Sequence, residues 1–238
     1  MTRSLTIARR EIGSYFSSPM AYVAMTLFLL VCGMIFWRDF SPGQPVAMRT
    51  LLDWMVWLLV VVVPLLSMGL LAQEWAGGTM ETMMTAPVDE TEMVLGKFLG
   101  AFGFFLILLV PTLMYVVMLA AAGEPDYGPI FSGYLGIILV GALFLAVGLF
   151  CSSLTRVQLV AAVVSAAILF LITIVPWWIG SEATLQKFWR TVADAAVFSR
   201  YTDFSKGVID TGNVVFFFVS TALFLFLTVK VLESRRWN

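Results

Sequence analysis

Six long stretches of the chain contain no charged side chain: residues 12–37, 54–73, 98–123, 127–155, 157–181 and 211–229. Each is long enough to cross a bilayer as a helix, which takes about 20 residues. The pattern predicts six spans at about 20–37, 54–72, 98–122, 130–151, 159–179 and 213–231. Pro64, Pro111 and Pro176 fall inside three of them, where a missing backbone donor kinks a helix. Kinks in a membrane imply a packed bundle whose neighbours satisfy the freed carbonyls. Gly96 and Gly100 form a GxxxG at the start of the third span, and Gly141 and Gly148 lie one heptad apart in the fourth, spacings that allow close helix contact.

Three segments between or before the spans have patterns of their own. In residues 5–18, Leu5, Ala8, Ile12, Tyr15 and Phe16 share one helical face while Arg3, Arg9, Arg10 and Ser14 lie on others, as in a helix lying at a membrane interface. Ser18 then caps and Pro19 opens the first span. In residues 73–97, Gly77 and Gly78 end the second span, and Thr79 starts a short helix with Met80, Met83 and Met84 on one side and Glu81, Thr82 and Thr85 on the other. Pro87 stops it. Asp89 and Glu92 then make a capping-box-like start to the next helix, with Val88 and Met93 as its staple. A methionine-rich surface either adapts to a groove on a partner or dips to headgroup level, and periodicity does not separate the two. In residues 181–212, Leu185, Phe188, Trp189, Val192 and Ala196 share a face, followed by Phe198, Tyr201 and Phe204 among charged residues. This predicts a re-entrant or surface-lying amphipathic element before the last span.

Composition then removes whole classes of chemistry. Only 12% of residues are charged, about half the share in soluble domains, so the chain reads as an integral membrane protein. There is no histidine, which removes Ser/His proteolysis and His-ligated metal or haem sites. The two cysteines, Cys32 and Cys151, make no disulfide framework, and thioethers without His or a nearby Cys give no reason to expect a metal. A net charge of −1 gives no basic surface for nucleic acid. The apolar stretch from Met20 to Trp37 is longer than a signal-peptide core and lacks a small-residue cleavage site, so it reads as a retained span.

No ionisable group falls mid-span, so the chain is not expected to move charge by its own gradient. Placing both termini in the cytoplasm puts eight basic residues inside and six outside, with Arg3, Arg9 and Arg10 before the first span weighing most.

Taken together, Glu74, Gly78, Thr79, Glu81, Thr85 and Pro87, followed by Val94-Leu95-Gly96-Lys97-Phe98-Leu99, resemble the signature of ABC-2-type transporter permeases. Arg10-Glu11, Ser14-Tyr15-Phe16, Ser18-Pro19, Ala21-Tyr22-Val23, Phe204-x-x-Gly207-Val208-Ile209-Asp210 and Arg235-Arg236-Trp237 resemble its gliding-motility, GldF-like branch. Trp75-Ala76 departs from the pattern, standing where relatives often carry charge.

The resemblance implies a single all-α transmembrane domain over residues 1–238, with six spans, an N-terminal interfacial helix carrying Arg9, Arg10, Glu11, Tyr15 and Phe16, and an outer re-entrant region. It also implies that Glu74, Gly78, Thr79, Met80, Glu81, Met83, Met84, Thr85 and Pro87 belong to a coupling helix and its surroundings, on which a separate ATP-binding subunit docks. Two such subunits would hold ATP and Mg, beside a second permease, identical or related, with room for an auxiliary membrane protein. The chain has no GxxxxGK[ST] loop to cradle phosphates, so nucleotide chemistry is expected from the partner. These readings make the chain a permease subunit of a bacterial inner-membrane exporter. The alternative is an ATPase-coupled mechanotransmitter or assembly scaffold that passes no substrate.

Overall fold

A computed structural model of the chain describes residues 2–39, 48–78, 89–123, 125–181 and 196–236. Among these residues the apolar runs form helices and no strand occurs. Helix α1 (Thr2–Ser17) turns at Ser18 into α2 (Pro19–Asp39), where proline's fixed φ suits a first helical position. Next come α3 (Arg49–Ser67) and α4 (Gly69–Ala76), nearly continuous with each other. Then follow α5 (Glu90–Leu109), a 3-10 turn over Val110–Thr112, and α6 (Leu113–Ala122). The chain continues through α7 (Tyr127–Leu154), α8 (Gln158–Ser181), α9 (Val197–Ser205) and α10 (Thr211–Arg236).

Five stretches are long and apolar enough to cross a membrane, and α8, with 24 residues and an apolar run from Gln158 to Thr173, provides the sixth. The second of them begins at Arg49, and the third at Glu90, because Asp53 and Lys97 interrupt the apolar runs without interrupting the helices.

Helix α7 lies at the centre and packs against α3, α4, α5, α8, α9 and α10. Glycine makes these contacts close. A Cβ on Gly141 would collide with the Phe105 ring, and one on Gly148 with the Ser67 hydroxyl. Asp126 caps the start of α7 by accepting from the Gly128 N–H at 3.1 Å.

The prolines act differently from one another. Pro111 sits in the 3-10 turn that interrupts the third span, where the Val110 N–H bonds Ile107 instead of a residue four back. Pro64 is accommodated within α3, and the break falls just past it, at Met68. That break leaves orphan amides at the start of α4. Ser152 of α7 covers them: its hydroxyl accepts from the Leu71 and Ala72 N–H groups at 3.0 Å each and donates to the Met68 carbonyl at 2.9 Å. One donor and two lone pairs are thereby all used. Ser152→Ala should therefore strand two buried amides and lower stability by about 1–3 kcal/mol. Its neighbour Ser153 bonds only within its own turn, to Phe150, so Ser153→Ala is the control. Thermal melting in detergent reads the difference, and equal melting of the two variants would count against the staple.

Of the predicted outer amphipathic element, Leu185, Phe188, Trp189 and Val192 lie outside the described residues, and Ala196 is buried. The aromatic part that follows is α9, an amphipathic helix with Val197, Phe198, Tyr201 and Phe204 buried, packed mainly on α7. Ser132 of α7 donates to the Phe204 carbonyl at 2.7 Å. Gly207, at φ +92°, ends the helix, the Val208 N–H bonds back to Asp203, and Asp210 accepts from the Gly212 N–H to start α10. The Phe204 to Asp210 motif is thus a helix stop, a turn and a cap.

Candidate functional site

Helix α1 and the end of α10 lie at one end of the bundle, which we call the basal end. Here α1, the end of α4, the start of α5, the α7–α8 turn and the end of α10 converge. The loop from Gly78 to Asp89 springs from this end, its two stems being α4 and α5.

The start of α5 carries glycine at positions 96, 100 and 103, and α1 lies on this strip. A Cβ at Gly96 would stand 2.8 Å from the Ile7 Cβ and 2.9 Å from the Ser4 carbonyl oxygen. At Gly100 it would stand 2.5 Å from the Glu11 Cβ and 3.0 Å from the Ala8 oxygen. The GxxxG groove is therefore filled from within the chain, by the N-terminal helix. This seat sets which face of α1 packs on the bundle: Ser4 and Ala8 are buried with Ile7, Glu11, Ile12 and Tyr15 beside them, whereas Leu5, on the apolar face expected at a membrane interface, is exposed. Helical spacing allows either stripe, and the glycine strip selects the one containing Glu11.

Close seating brings four charges together. Lys97 of α5, with its side chain 1% exposed, places Nζ 2.8 Å from a carboxylate oxygen of Glu11 and 2.8 Å from one of Glu74. Arg10 reaches the same two carboxylates from the exposed side, at 3.7 and 3.4 Å. Two cations and two anions make the quartet formally neutral. A buried ammonium costs several kcal/mol in lost hydration, and only close, well-placed carboxylates offset that cost. The quartet ties α1 to both stems of the loop, through Glu74 on α4 and Lys97 on α5.

Aromatic contacts extend the tie. Tyr15 stacks on Phe104 at 4.7 Å between ring centres, and Phe16 meets the same ring edge-on at 5.7 Å. The Tyr15 hydroxyl donates to the Leu66 carbonyl at 2.7 Å, just before the α3–α4 break. Burial, and secondarily the Glu11 carboxylate, push this phenol well above its usual range, so it remains a donor. Between the α1–α2 elbow and that break lies a cavity of about 360 Å³, edged by Glu11, Ser14, Gln73 and Gln158. Helix α1 is thus packed tightly on α5 and loosely over the α3–α4 joint.

The residues predicted to form the site divide clearly. Arg10, Glu11 and Glu74 meet in the quartet, Tyr15 and Phe16 flank it, and Arg9 is exposed. Gly78 closes the first stem at φ +70°, a conformation that favours glycine. Thr79, Met80, Glu81, Met83, Met84, Thr85 and Pro87 lie outside the described residues. Asp89 is the N-cap of α5 as expected, but its side chain makes no capping hydrogen bond.

Sequence reasoning treated Lys97 as a flanking charge. Its register shows otherwise, because residues 93, 94, 100, 101 and 104 on the same face are buried. Trp75, the departure from the family pattern, lies under two cations: the Arg235 guanidinium 5.0 Å and the Arg156 guanidinium 5.9 Å from its ring centre.

Residues 14–191 match the model of a family described as ABC-2 family transporter protein. The match covers well over half of the chain, which belongs to that family. No curated protein matches it. Membership makes the chain a multi-pass transmembrane component of an ABC transporter, a permease subunit served by an ATP-binding partner subunit.

Proposed function

We propose that this permease drives export from a bacterial cytoplasm, sits in the inner membrane with both termini cytoplasmic, and is worked through the loop at 73–97. In this reading the basal end faces the cytosol. Two ATP-binding subunits, holding ATP and Mg, dock on the segment containing Thr79, Met80, Glu81, Met83, Met84, Thr85 and Pro87. A second permease, identical or related, completes the pathway. The Phe204–Asp210 and Arg10-Glu11 motifs resemble those of the gliding-motility, GldF-like branch, and on that resemblance of sequence we assign the chain to it.

The observation that carries the reading is the quartet. A loop that only joined two spans would need no buried lysine at its root. Here its two stems are locked to each other and to α1 by ion contacts at 2.8 Å, so a push on the loop is delivered to three helices together. The stem on α4 is bound through Ser152 to the central helix, which carries the motion into the bundle. The chain's part in transport is mechanical, and the chemistry belongs to the ATP-binding subunit.

Exchanging the character of the loop tests this. Glu81→Lys combined with Met83→Glu should leave the folded permease intact but abolish co-purification of the ATPase or its stimulation by the permease. Unchanged assembly with unchanged stimulated ATP hydrolysis in the purified complex would sink the coupling assignment.

A further inference from the structure

The quartet is neutral, but the neighbouring corner of the basal end is not. A cleft of about 570 Å³ opens there between Trp75, Leu154, Thr155, Arg156 and Arg235. Its two guanidiniums lie over the Trp75 ring, and Arg235 also donates to the Leu154 carbonyl at 2.7 Å. Among the described residues neither arginine has a carboxylate within ion-pair distance. The indole N–H of Trp75 is buried and has no acceptor among them either. Two cations held over one aromatic ring at the same cleft repel each other, and an anion in that cleft relieves the repulsion.

The surroundings say what kind of anion. Leu154 edges the cleft and is exposed, and from the cleft Val157, just before α8, and Val160, Val164 and Leu171 along one face of α8 continue the line, all exposed. Their spacing of three, four and seven residues makes an apolar ladder running from the arginines toward the membrane interior. A positive pocket at the end of a transmembrane bundle with an apolar track leading from it has the form of a lipid headgroup site. Guanidinium is also the side chain best shaped to hold a phosphate by paired hydrogen bonds.

We infer that the cleft between Trp75, Arg156 and Arg235 binds the phosphodiester of an anionic phospholipid, whose acyl chain lies along the exposed face of α8. The site bridges α4, the α7–α8 turn and α10, on the flank of the first loop stem. The inference does not depend on which protein docks on that loop.

Native mass spectrometry of the full-length chain in detergent, titrated with phosphatidylglycerol or phosphatidylcholine, tests it. Phosphatidylglycerol should be retained in preference. Each arginine near a membrane surface contributes roughly a fivefold factor, so Arg156→Gln should weaken retention about fivefold and Arg156→Gln/Arg235→Gln about thirtyfold. Among the described residues Arg156 has no hydrogen-bond partner, so the single variant reads the site even if the double variant is poorly folded. Arg156→Lys should keep most of the preference. Equal retention of the two lipids, or unchanged retention in Arg156→Gln, would overturn the inference. So would displacement of phosphatidylglycerol by an equal concentration of inorganic phosphate, which would mark a site for a soluble anion.

Discussion

Lys97→Met should destabilise the folded chain by about 3–5 kcal/mol, the usual consequence of removing one side of a buried ion pair. The reason lies in what remains. Without the ammonium, Glu11 and Glu74 face each other at a mostly buried site, and the exposed Arg10 at 3.7 and 3.4 Å offsets the two like charges only in part. The double variant Lys97→Met/Glu74→Gln removes one charge of each sign and leaves the Arg10–Glu11 contact. It should recover part of the loss, and the sign of that recovery separates electrostatics from packing, since methionine fills the same volume in both. Melting temperatures of wild type, single and double variants in one detergent give the cycle. If the double variant melts no higher than Lys97→Met, the quartet is not what holds the loop stems.

Gly100→Leu should be comparably severe, for a steric reason. A Cβ at that position would already stand 2.5 Å from the Glu11 Cβ and 3.0 Å from backbone at Ala8, so helix α1 must lift away from α5. Lifting α1 breaks the Glu11 contact with Lys97 and the Tyr15 stack on Phe104 together. The matched control is Gly13→Ala in α1 itself, where an added Cβ meets nothing within 4 Å. That change should be neutral or slightly stabilising, because alanine favours a helix over glycine by about 0.5–1 kcal/mol. Trypsin cleavage after Arg9 and Arg10 reports the lifting: fast in Gly100→Leu, slow in wild type and Gly13→Ala. Equal cleavage in all three would show that α1 does not need the glycine seat.

The helices were legible because their signal is local. Charge-free runs of the right length mark spans whatever their neighbours are, and Pro19 and Gly78 mark ends through their own backbone preferences. Helix ends that include charge were less legible. Arg49 and Asp53 on α3, and Lys97 on α5, look like flanks when hydropathy alone draws the boundary. Of the quartet, Arg10, Glu11 and Glu74 stood among the candidate residues and Lys97 only in a motif, and their assembly was not legible. Glu11, Glu74 and Lys97 were each picked out by a motif, yet their separations of 63, 23 and 86 residues carry no hint that they meet. That information resides in the glycine strip on α5, whose spacing shows a close contact without showing which helix makes it. Ser152 gave no signal at all, because a staple for another helix's orphan amides leaves no periodicity behind.

The quartet also bears on how the chain is put into the membrane. Residues 10 and 11 precede the first span, Glu74 ends the second, and Lys97 lies near the start of the third, so the cluster cannot close until the chain has been made through Lys97. It closes only if the N-terminus and the loop after the second span emerge on the same side. A chain whose second span failed to insert would leave Glu11 and Lys97 on opposite faces of the bilayer, unable to pair with each other. Only a threading that puts α1 and the start of α5 on the same side of the membrane lets the four charges meet.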